Sequence, residues 1–458
     1  MERAEAFRRK KVIIIGAGIS GLTIAYYLKK RGIEIDLIEK SPVVGGNVKS
    51  ALREEAYIVE HGPQFFSYDS DAILRLAREL SIDPQIVECR SDPRKNYIFK
   101  NGSLHLIPRS IFQAVSSDVL SLSGKMRLAS EIFKKGMECE SESFAEFAVR
   151  RLGRDALDAY VDPFVTRGFA GDPLQLEVKS AFPFLADIER RNGKVLTKIK
   201  NLMSKLAIRN PVSFKWGMGT LTARLEEELR RNLMQGVSAL GIFRDESNRP
   251  CVRIDVSARV ISADAVVVTT PAPVAGELLV EIDPEIIAPI MAIPYVPIAI
   301  VYTAFRLKDL KSVPEGIGFV VPRSEGQRGL GTIFSSLLFA DRCPSTEILI
   351  TSYFGGATDP AFIDLPDEEI RNQTSAYLDD TLGIDVEPVF FHIKRWRQVI
   401  PQYNIGHRLR VAEIEDKIAK QPGIFMAGSF SGGISCNDVI ATSRMKVEEI
   451  LKYLRRTV

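Results

Sequence analysis

The amino-acid sequence predicts an α/β fold, in which a parallel sheet is accompanied by a second, mixed-sheet region and a helical insertion. Three observations lead to this prediction. A β-branched run at 12–15, a helical pattern at 22–30 and an alternating strand at 33–37 make a βαβ unit. The segment 108–187 has mainly helical patterning. The segment 298–353 is rich in short strand-like runs that Gly and Pro interrupt.

The remaining elements follow in chain order. A helix is expected at 71–80, and a capping box at 143–146 starts a helix within the helical insertion. The segment 263–271 contains three consecutive valines, which is typical of a strand covered on both faces. A strand at 423–427 and a helix at 438–454 close the chain.

The composition excludes several classes of protein. With 458 residues, 45% of them hydrophobic and 26% charged, the chain has ordinary globular values and room for roughly three domains. The net charge of +3 is too small to indicate nucleic-acid binding. The five cysteines lie far apart and the four histidines share no ligand spacing, so we expect neither disulfides nor a metal site. This cysteine usage favours a reducing, cytoplasmic compartment.

Two uncharged stretches imitate targeting or membrane segments. The stretch 12–28 follows basic residues, but glycines interrupt it and no cleavage-site pattern follows, so we do not expect a signal peptide. The stretch 286–305 is long enough to cross a bilayer, but three prolines within it break a regular helix. We therefore expect no transmembrane helix, and peripheral membrane attachment stays open.

The turn between the first strand and the first helix carries a G-x-G-x-x-G motif, Gly16-Ala17-Gly18-Ile19-Ser20-Gly21. The first Gly permits a tight turn, the second lets a pyrophosphate approach the backbone, and the third lets the helix pack on the strand. Glu39 ends the second strand, about 20 residues further on, where a carboxylate binds a ribose hydroxyl. Together these features predict a Rossmann-like, dinucleotide-binding domain.

The positions of the Gly-rich segments favour FAD over NAD. Gly45 and Gly46 follow Glu39 closely, and a second Gly-rich strand-turn-helix at 427–438 closes the chain. A site assembled from both ends of the chain suits a large, permanently held cofactor. The N-terminal amides of the last helix would stabilise negative charge on a reduced flavin. For each Gly-rich segment, an ordinary turn is the alternative.

Nine segments, spread over essentially the whole chain, share their pattern and order with one protein family. They are GAGISGL (16–22), EHGP (60–63), RRLG (150–153), TRGFAGDP (166–173), ADAVVVTTPA (263–272), GIGFVVPRSE (316–325), FGGA (354–357), IPQYNIGH (400–407) and AGSFSGGISCNDVI (427–440). The chain resembles the protoporphyrinogen/coproporphyrinogen oxidase family of FAD-dependent oxidases, within the amine oxidase-like flavoproteins. The most specific segments are IPQYNIGH, RGFAGDP and VPRSE.

The resemblance implies a set of cofactor and substrate contacts. The implied FAD contacts are Gly16, Ala17, Gly18, Ile19, Ser20, Gly21, Glu39, Lys40, Gly46, Asn47, Gly62, Pro63, Gln64, Phe65, Val237, Gly428, Cys436, Asn437 and Asp438. The implied substrate residues are Arg94, Lys95, Asn96, Arg167, Ile317, Gly318, Val320 and Tyr353. The family often has Arg at position 96 as a carboxylate anchor, a role that Arg94 or Lys95 could take. Gln64 and Asn47 also depart from the residues common in relatives.

Alternatives accompany the substrate residues. Apolar packing is the alternative for Ile317, Val320 and Tyr353, and a structural ion pair is the alternative for Arg167.

The resemblance also implies an activity in haem biosynthesis. A porphyrinogen, either protoporphyrinogen IX or coproporphyrinogen III, would be oxidised to the porphyrin, with dioxygen as acceptor and hydrogen peroxide as by-product. The flavin supplies the difficult chemistry, so no protein acid or base is nominated. Two alternatives stay open: an amine oxidase or polyene desaturase of the same fold, and a flavin-holding partner protein without turnover. The choice of porphyrinogen and the oligomeric state also stay open.

The expected domains are discontinuous along the chain. The FAD-binding domain takes 1–90, 211–275 and 413–458, the substrate domain takes 91–98, 190–210 and 276–412, and the helical insertion takes 99–189. Within the insertion, 107–137 combines apolar side chains with cations, as in a surface that rests in a lipid headgroup layer. An ordinary buried helical face is the alternative.

Overall fold

A computed structural model describes residues 10–137, 139, 141–193, 195, 210–256, 259–312 and 315–456. The strands are β1 (Lys11–Ile15), β2 (Glu34–Glu39), β3 (Ser50–Arg53), β4 (Tyr57–Glu60), β5 (Phe66–Ser67), β6 (Ile86–Glu88), β7 (Asn96–Lys100), β8 (Ser103–Leu106), β9 (Pro211–Phe214), β10 (Leu233–Gln235), β11 (Ala239–Arg244), β12 (Pro250–Ile254), β13 (Val260–Ser262), β14 (Ala265–Val268), β15 (Tyr295–Arg306), β16 (Gly318–Val320), β17 (Gly329–Ile333), β18 (Glu347–Gly355), β19 (Phe390–Pro401) and β20 (Ile424–Met426).

The helices are α1 (Ile19–Lys30), α2 (Asp71–Glu79), α3 (Ile111–Ser116), α4 (Leu122–Ala129), α5 (Phe144–Arg151), α6 (Arg154–Ala156), α7 (Asp162–Phe169), α8 (Val178–Ala181), α9 (Pro183–Asn192), α10 (Gly219–Leu229), α11 (Ala272–Leu278), α12 (Ile287–Met291), α13 (Ser335–Leu338), α14 (Asp367–Leu382), α15 (His407–Ala419), α16 (Ser429–Gly432) and α17 (Cys436–Arg456). A π-helical turn, Leu157–Val161, joins α6 to α7.

The predicted parallel sheet has the order β10-β2-β1-β14-β20. Val12 and Ile14 of β1 pack into a cluster with α1 and α17, whereas Ile13 and Ile15 pack into a cluster with β12 and α11. Successive side chains of a strand point to opposite faces, so a continuous β-branched run is buried on both. The α/β prediction is confirmed, and the carboxyl ends of these strands gather the dinucleotide motif and the C-terminal Gly-rich turn at one edge.

The mixed sheet has the order β19-β15-β18-β17-β16-β7-β8. β16 pairs with β7 in parallel, and the other pairings are antiparallel. One face packs against α14, for example through Phe319 and Tyr377. The opposite face packs against the β3–β4 hairpin, where Val59 lies in one cluster with Ile300 and Tyr302. We call this second face the hairpin face.

The predicted helical insertion extends from α3 to α9, between β8 and β9. Its predicted capping box is present: the Glu146 amide donates to Ser143 Oγ at 3.1 Å, and the Ser143 amide donates to Glu146 Oε2 at 2.9 Å. Arg151 is fully buried and forms ion pairs with Glu131 and Glu189. Because a buried charge must be paired, this cluster holds three segments of the insertion together.

The stretch 286–305 does not form a membrane-crossing helix. It begins with the short helix α12 and continues as the long strand β15, as its prolines predict. Among the described residues, every helix is too short or too polar to cross a bilayer.

Candidate functional site

The turn after β1 has the three properties that a dinucleotide site requires. Gly16 has a φ of +100°, which an L side chain rarely adopts. A Cβ on Gly21 would lie 1.9 Å from the Gly16 carbonyl oxygen, so only Gly lets α1 pack this closely. A Cβ on Gly18 would meet nothing nearer than the Cα of Gly46, at 4.0 Å. The chain thus leaves an open space above Gly18, where a pyrophosphate would fit.

The segment after β2 closes over the same turn. The Gly45 amide donates to the Ala17 carbonyl at 2.7 Å, which brings Gly46 opposite Gly18. Glu39 accepts the Ala17 amide at 2.7 Å through Oε2, so its carboxylate lies at the first turn of the motif. The Val237 amide donates to the Glu39 carbonyl at 3.0 Å. These contacts bring Val237 and the Glu39 carboxylate together beside the glycine turn, and their roles at the adenine and ribose stay a prediction.

The Gly62–Phe65 segment continues the site from Asn47. A Cβ on Gly62 would lie 2.3 Å from the Asn47 carbonyl oxygen, so the two backbones touch. Gln64 is buried, and its Nε2 donates to Tyr302 Oη at 2.8 Å. Its Oε1 accepts Ser335 Oγ at 3.4 Å. The Gln64 side chain is therefore engaged by the protein, and a flavin contact here would come from its backbone.

Two other implied FAD residues lie at the outside of this arrangement. Ser20 is buried against α17, with its Oγ 2.9 Å from Ser443 Oγ. Lys40 is exposed at the end of β2. Ala17 and Ile19, by contrast, are buried within the turn itself.

The C-terminal Gly-rich turn is held by two residues of the segment IPQYNIGH, Tyr403 and His407. Tyr403 Oη donates to the Ser429 carbonyl and accepts the Gly433 amide, the latter at 3.1 Å. His407 Nε2 is 2.8 Å from the Phe430 carbonyl. Burial lowers the pKa of His407 to about 4, so the ring is neutral and Nε2–H is the donor. We call the segment 428–434 the flavin loop.

The family resemblance marked the segment IPQYNIGH as specific, but the hydrogen bonds that its Tyr403 and His407 form could not be predicted from the sequence. The aromatic ring of Tyr403 also stacks on His407, with ring centres 4.2 Å apart. Both side chains bind carbonyl oxygens or an amide at the ends of the flavin loop, which fixes its backbone.

The implied FAD residues Cys436, Asn437 and Asp438 lie at the start of α17. Asn437 Oδ1 accepts the Ala72 amide at 3.0 Å and so caps α2, a role that the sequence did not indicate. Asp438 Oδ2 accepts Ser435 Oγ at 2.6 Å. Burial raises the pKa of the Cys436 thiol to about 12, so it is not a reactive thiolate. These side chains shape the helix start, and Gly428 precedes them in the flavin loop.

Glu60 is a further buried acid beside the site. Its side chain accepts Ser50 Oγ at 2.6 Å and the Met218 amide at 2.9 Å. Burial raises its pKa to about 7, although the nearby Arg342 lowers it. Tyr302 Oη donates to the Glu60 carbonyl and thereby joins the mixed sheet to the segment before Gly62.

The implied substrate residues separate into four groups. Gly318 of β16 pairs with Asn96 of β7, and Val320 lies two positions further along β16. Val320 and Tyr353 both pair with Gly331 of β17. Paired residues share a face, so Val320, Tyr353 and Ile300 form one row on the hairpin face. Ile317 instead packs in the cluster on the α14 side. The structure does not bring Ile317 to the hairpin face.

Arg94 and Lys95 form ion pairs at the surface. Arg94 pairs with Asp92 at 2.8 Å, and Lys95 pairs with Glu315. The structure therefore does not bring these two cations to the hairpin face beside Asn96.

Arg167 has a different environment. It lies in α7, which packs against β16 and β17. Solvent reaches the side chain, yet protein surrounds it so closely that burial lowers its pKa to about 10. None of the described residues forms an ion pair with Arg167.

Comparisons with known proteins agree with this geometry. The model of the flavin containing amine oxidoreductase family matches residues 19–451. A coproporphyrinogen III oxidase of Bacillus subtilis (strain 168) is 27% identical, covering 97% of this chain and 99% of its own. Protoporphyrinogen oxidase 2, chloroplastic/mitochondrial, of Arabidopsis thaliana is 30% identical, covering 98% of this chain and 95% of its own.

A solved structure from Exiguobacterium sp. 255-15 has a TM-score of 0.83 at 22% identity and covers 96% of this chain and 98% of its own. This likeness extends the agreement to the fold of the whole chain. With the family match over nearly the full length, the chain belongs to the flavin containing amine oxidoreductase family and is an FAD-dependent oxidoreductase.

Proposed function

We propose that this protein oxidises a porphyrinogen to the corresponding porphyrin, with dioxygen as acceptor and hydrogen peroxide as by-product. The observation that carries the proposal is Arg167, a solvent-accessible cation with no ion-pair partner among the described residues, in a helix that packs against β16 and β17 of the mixed sheet. The names of the Bacillus and Arabidopsis relatives supply the substrate class. Porphyrinogens combine an uncharged ring system with carboxylates, which is the chemistry this arrangement suits.

The chain's own residues would bind and orient the substrate. Tyr353, which is partly exposed, and Val320 in the same row would border the macrocycle, and Arg167 would pair with one of its carboxylates. Binding of this kind would orient the macrocycle toward the residues that would hold the flavin. Bound FAD supplies the redox chemistry, accepting hydride and passing electrons to dioxygen. The residues at Gly18, Glu39, Gly62 and the flavin loop are those that would hold it.

Replacement of Arg167 tests the proposed carboxylate contact. Arg167→Ala should raise the KM for porphyrinogen by about tenfold or more, the usual effect of losing a hydrogen bond to a charged group. Its FAD content should not change, because Arg167 lies outside every FAD contact described above. The exposed Arg190, which pairs with Asp187 in α9, is the matched control, and Arg190→Ala should leave KM unchanged. An unchanged KM in Arg167→Ala would remove Arg167 from the substrate site.

We also propose peripheral contact of the helical insertion with a membrane, in the cytoplasm. Phe112, Leu122, Met126 and Phe133 expose between 67% and 84% of their surface. Val119, Leu120 and Leu128 are buried and belong to the core. The segment 107–137 thus combines a buried face with a separate apolar surface. An exposed aromatic and aliphatic surface with neighbouring cations suits a headgroup layer.

A further inference from the structure

The three segments most specific to the family meet at one place in the fold, the end of α7 and the turn that follows it. The segment RGFAGDP begins in α7 and continues past its last residue. From IPQYNIGH, Gln402 Nε2 donates to the Phe169 carbonyl at 3.0 Å. From VPRSE, Arg323 Nη1 lies 3.2 Å from Asp172 Oδ1. Of RGFAGDP and VPRSE, the proposed function uses only Arg167, so the contact between the two segments needs a separate explanation.

Arg323 holds the chain on both sides of Arg167. The Arg323 Nε donates to Asp162 Oδ1 at 2.7 Å, and the Arg323 backbone amide donates to Asp162 Oδ2 at 2.9 Å. Asp162 begins α7 and Asp172 lies beyond its end, equally far in sequence from Arg167. A planar guanidinium has its donors in a fixed arrangement, so it can bind both carboxylates at once in one geometry. One side chain thus fixes both ends of the segment that contains Arg167.

The Asp162 carboxylate depends on this contact. Only 5% of its side chain is exposed, and a buried charge is costly unless it is paired. Burial raises the pKa of Asp162, and the Arg323 charge and hydrogen bonds act in the opposite direction. Among the described residues, Arg323 is the only ion-pair partner of Asp162. The start of α7 is therefore held to the segment VPRSE by charge pairing and not by apolar packing alone.

The turn that contains Arg323 is held on its other side as well. Glu325 accepts Lys100 Nζ at 2.5 Å and the Asn101 amide at 2.7 Å, and these two residues end and follow β7. The same turn joins β16 to β17, the strands against which α7 packs. It therefore connects α7 to the strands that contain Asn96 and Val320, two of the other implied substrate residues.

We propose that Arg323 is a positioning residue for the substrate: through Asp162 and Asp172 it fixes α7 on the mixed sheet, so that the Arg167 guanidinium meets a substrate carboxylate. The proposal rests on the proposed function, because Arg323 acts only through Arg167. A displacement of about 1 Å in a binding group is enough to remove much of its effect, so a small shift of α7 would weaken the contact.

A double-mutant cycle between Arg323 and Arg167 in the FAD-loaded protein tests the proposal. Arg323→Gln keeps the backbone amide bond to Asp162 and removes the guanidinium contacts. It should raise the KM for the porphyrinogen by about threefold or more in the otherwise wild-type protein, and by less than about 1.5-fold in the Arg167→Ala protein. Arg323→Lys keeps the charge but not the planar donor group, so its KM should lie between those of the wild type and Arg323→Gln.

Two further variants separate positioning from stability. Arg328→Gln is the matched control, because the Arg328 side chain is as exposed as that of Arg323, both 38%, and its Nε donates to Asp359 Oδ2 at 2.8 Å just before β17. It should lower the melting temperature by a similar amount and leave KM unchanged. Asp172→Asn weakens only the second contact, at a partly exposed side chain, and should raise KM in the same direction. It also completes the cycle if Arg323→Gln does not fold.

The possible failures of the two proposals are distinguishable. Equal increases in KM in the wild-type and Arg167→Ala backgrounds would show that Arg323 acts independently of Arg167, which overturns the positioning role. An unchanged KM in Arg323→Gln and Asp172→Asn, with a raised KM in Arg167→Ala, would remove the positioning role and leave the proposed function intact. If Arg167→Ala leaves KM unchanged, or if the wild type oxidises neither porphyrinogen, the carboxylate contact or the proposed function fails and the positioning role fails with it.

Discussion

Gly18 and Gly21 belong to one motif but serve different purposes. The Cβ of an Ala at position 21 would collide with the Gly16 carbonyl oxygen, whereas the space at Gly18 is open to within 4.0 Å. We therefore expect Gly18→Val to fold and to lose FAD, because the branched side chain occupies the space of the pyrophosphate. Flavin absorbance and circular dichroism of the purified variant measure the two properties.

Gly21→Ala is the matched comparison, since the same motif is altered by one methyl group. It should lower the melting temperature of the protein itself, because α1 can no longer pack on β1. A yellow, fully loaded Gly18→Val protein would contradict the assignment of this turn to the cofactor.

Glu60 makes stability depend on pH. Burial raises its pKa from 4.5 to about 7, against the lowering effects of Arg342, Ser50 and Met218. The folded protein therefore holds a proton that the unfolded chain releases, and stability falls as the pH rises from about 4.5 to 7. Glu60→Gln retains a carbonyl oxygen for the Met218 amide and cannot ionise.

Glu60→Gln should stabilise the protein at pH 8 by on the order of 3 kcal/mol and have a much smaller effect at pH 5. Urea unfolding at the two pH values measures the difference. Equal effects at both pH values would mean that Glu60 is ionised in the folded protein.

At the scale of elements, the flavin loop depends on the segment 400–407. Tyr403→Phe removes the hydroxyl that holds the Ser429 carbonyl and the Gly433 amide. We expect FAD to bind about 3- to 10-fold more weakly, the cost of one or two hydrogen bonds. His407→Gln should have a similar effect through the Phe430 carbonyl. Fluorescence titration of the apoprotein with FAD provides the measurement.

Tyr377→Phe is the control for the loop. Tyr377 is equally buried and its hydroxyl lies 3.1 Å from Thr332 Oγ1, on the α14 side of the mixed sheet. It should lose some stability and keep its affinity for FAD. If Tyr403→Phe and Tyr377→Phe bind FAD alike, the hydroxyl of Tyr403 does not hold the flavin loop.

The whole molecule would meet the membrane through the exposed apolar side chains of the insertion. Phe112 and Phe133 are 83% and 84% exposed and carry little of the core. We expect the wild type to float with anionic liposomes at low salt, and Phe112→Ser/Phe133→Ser to remain soluble with an unchanged melting temperature. Wild-type protein that stays at the bottom of the gradient would leave no role for this surface at a membrane.

Local patterns predicted the framework of the molecule because they express local physics. The βαβ start, the capping box at Ser143 and the broken stretch 286–305 each follow from side-chain periodicity, hydrogen bonding or proline. Pairings between distant parts of the chain could not be predicted in this way. Asn437 caps a helix 365 positions away, and Lys95 pairs with Glu315, 220 positions away.

The residues of the candidate site show the same difference between local motifs and long-range pairings. The cofactor turn is a contiguous motif, so its glycines could be assigned before the fold was known. Lys49 precedes β3 and Lys394 lies in β19, and the two come close only because the β3–β4 hairpin packs on the mixed sheet. Ile317 and Val320 are three residues apart, an odd separation that puts them on opposite faces of an extended segment. The domain boundaries and the remaining cofactor and substrate contacts stay predictions.

The most direct test of the account is anaerobic mixing of the FAD-loaded protein with each porphyrinogen, followed at the flavin absorbance band. We predict bleaching of the band by a porphyrinogen, and the appearance of porphyrin fluorescence and hydrogen peroxide when air is admitted. Bleaching by an amine or a polyene, with neither porphyrinogen oxidised above its spontaneous rate, would contradict the account. A flavin that no substrate bleaches would point instead to a flavin-holding protein without turnover.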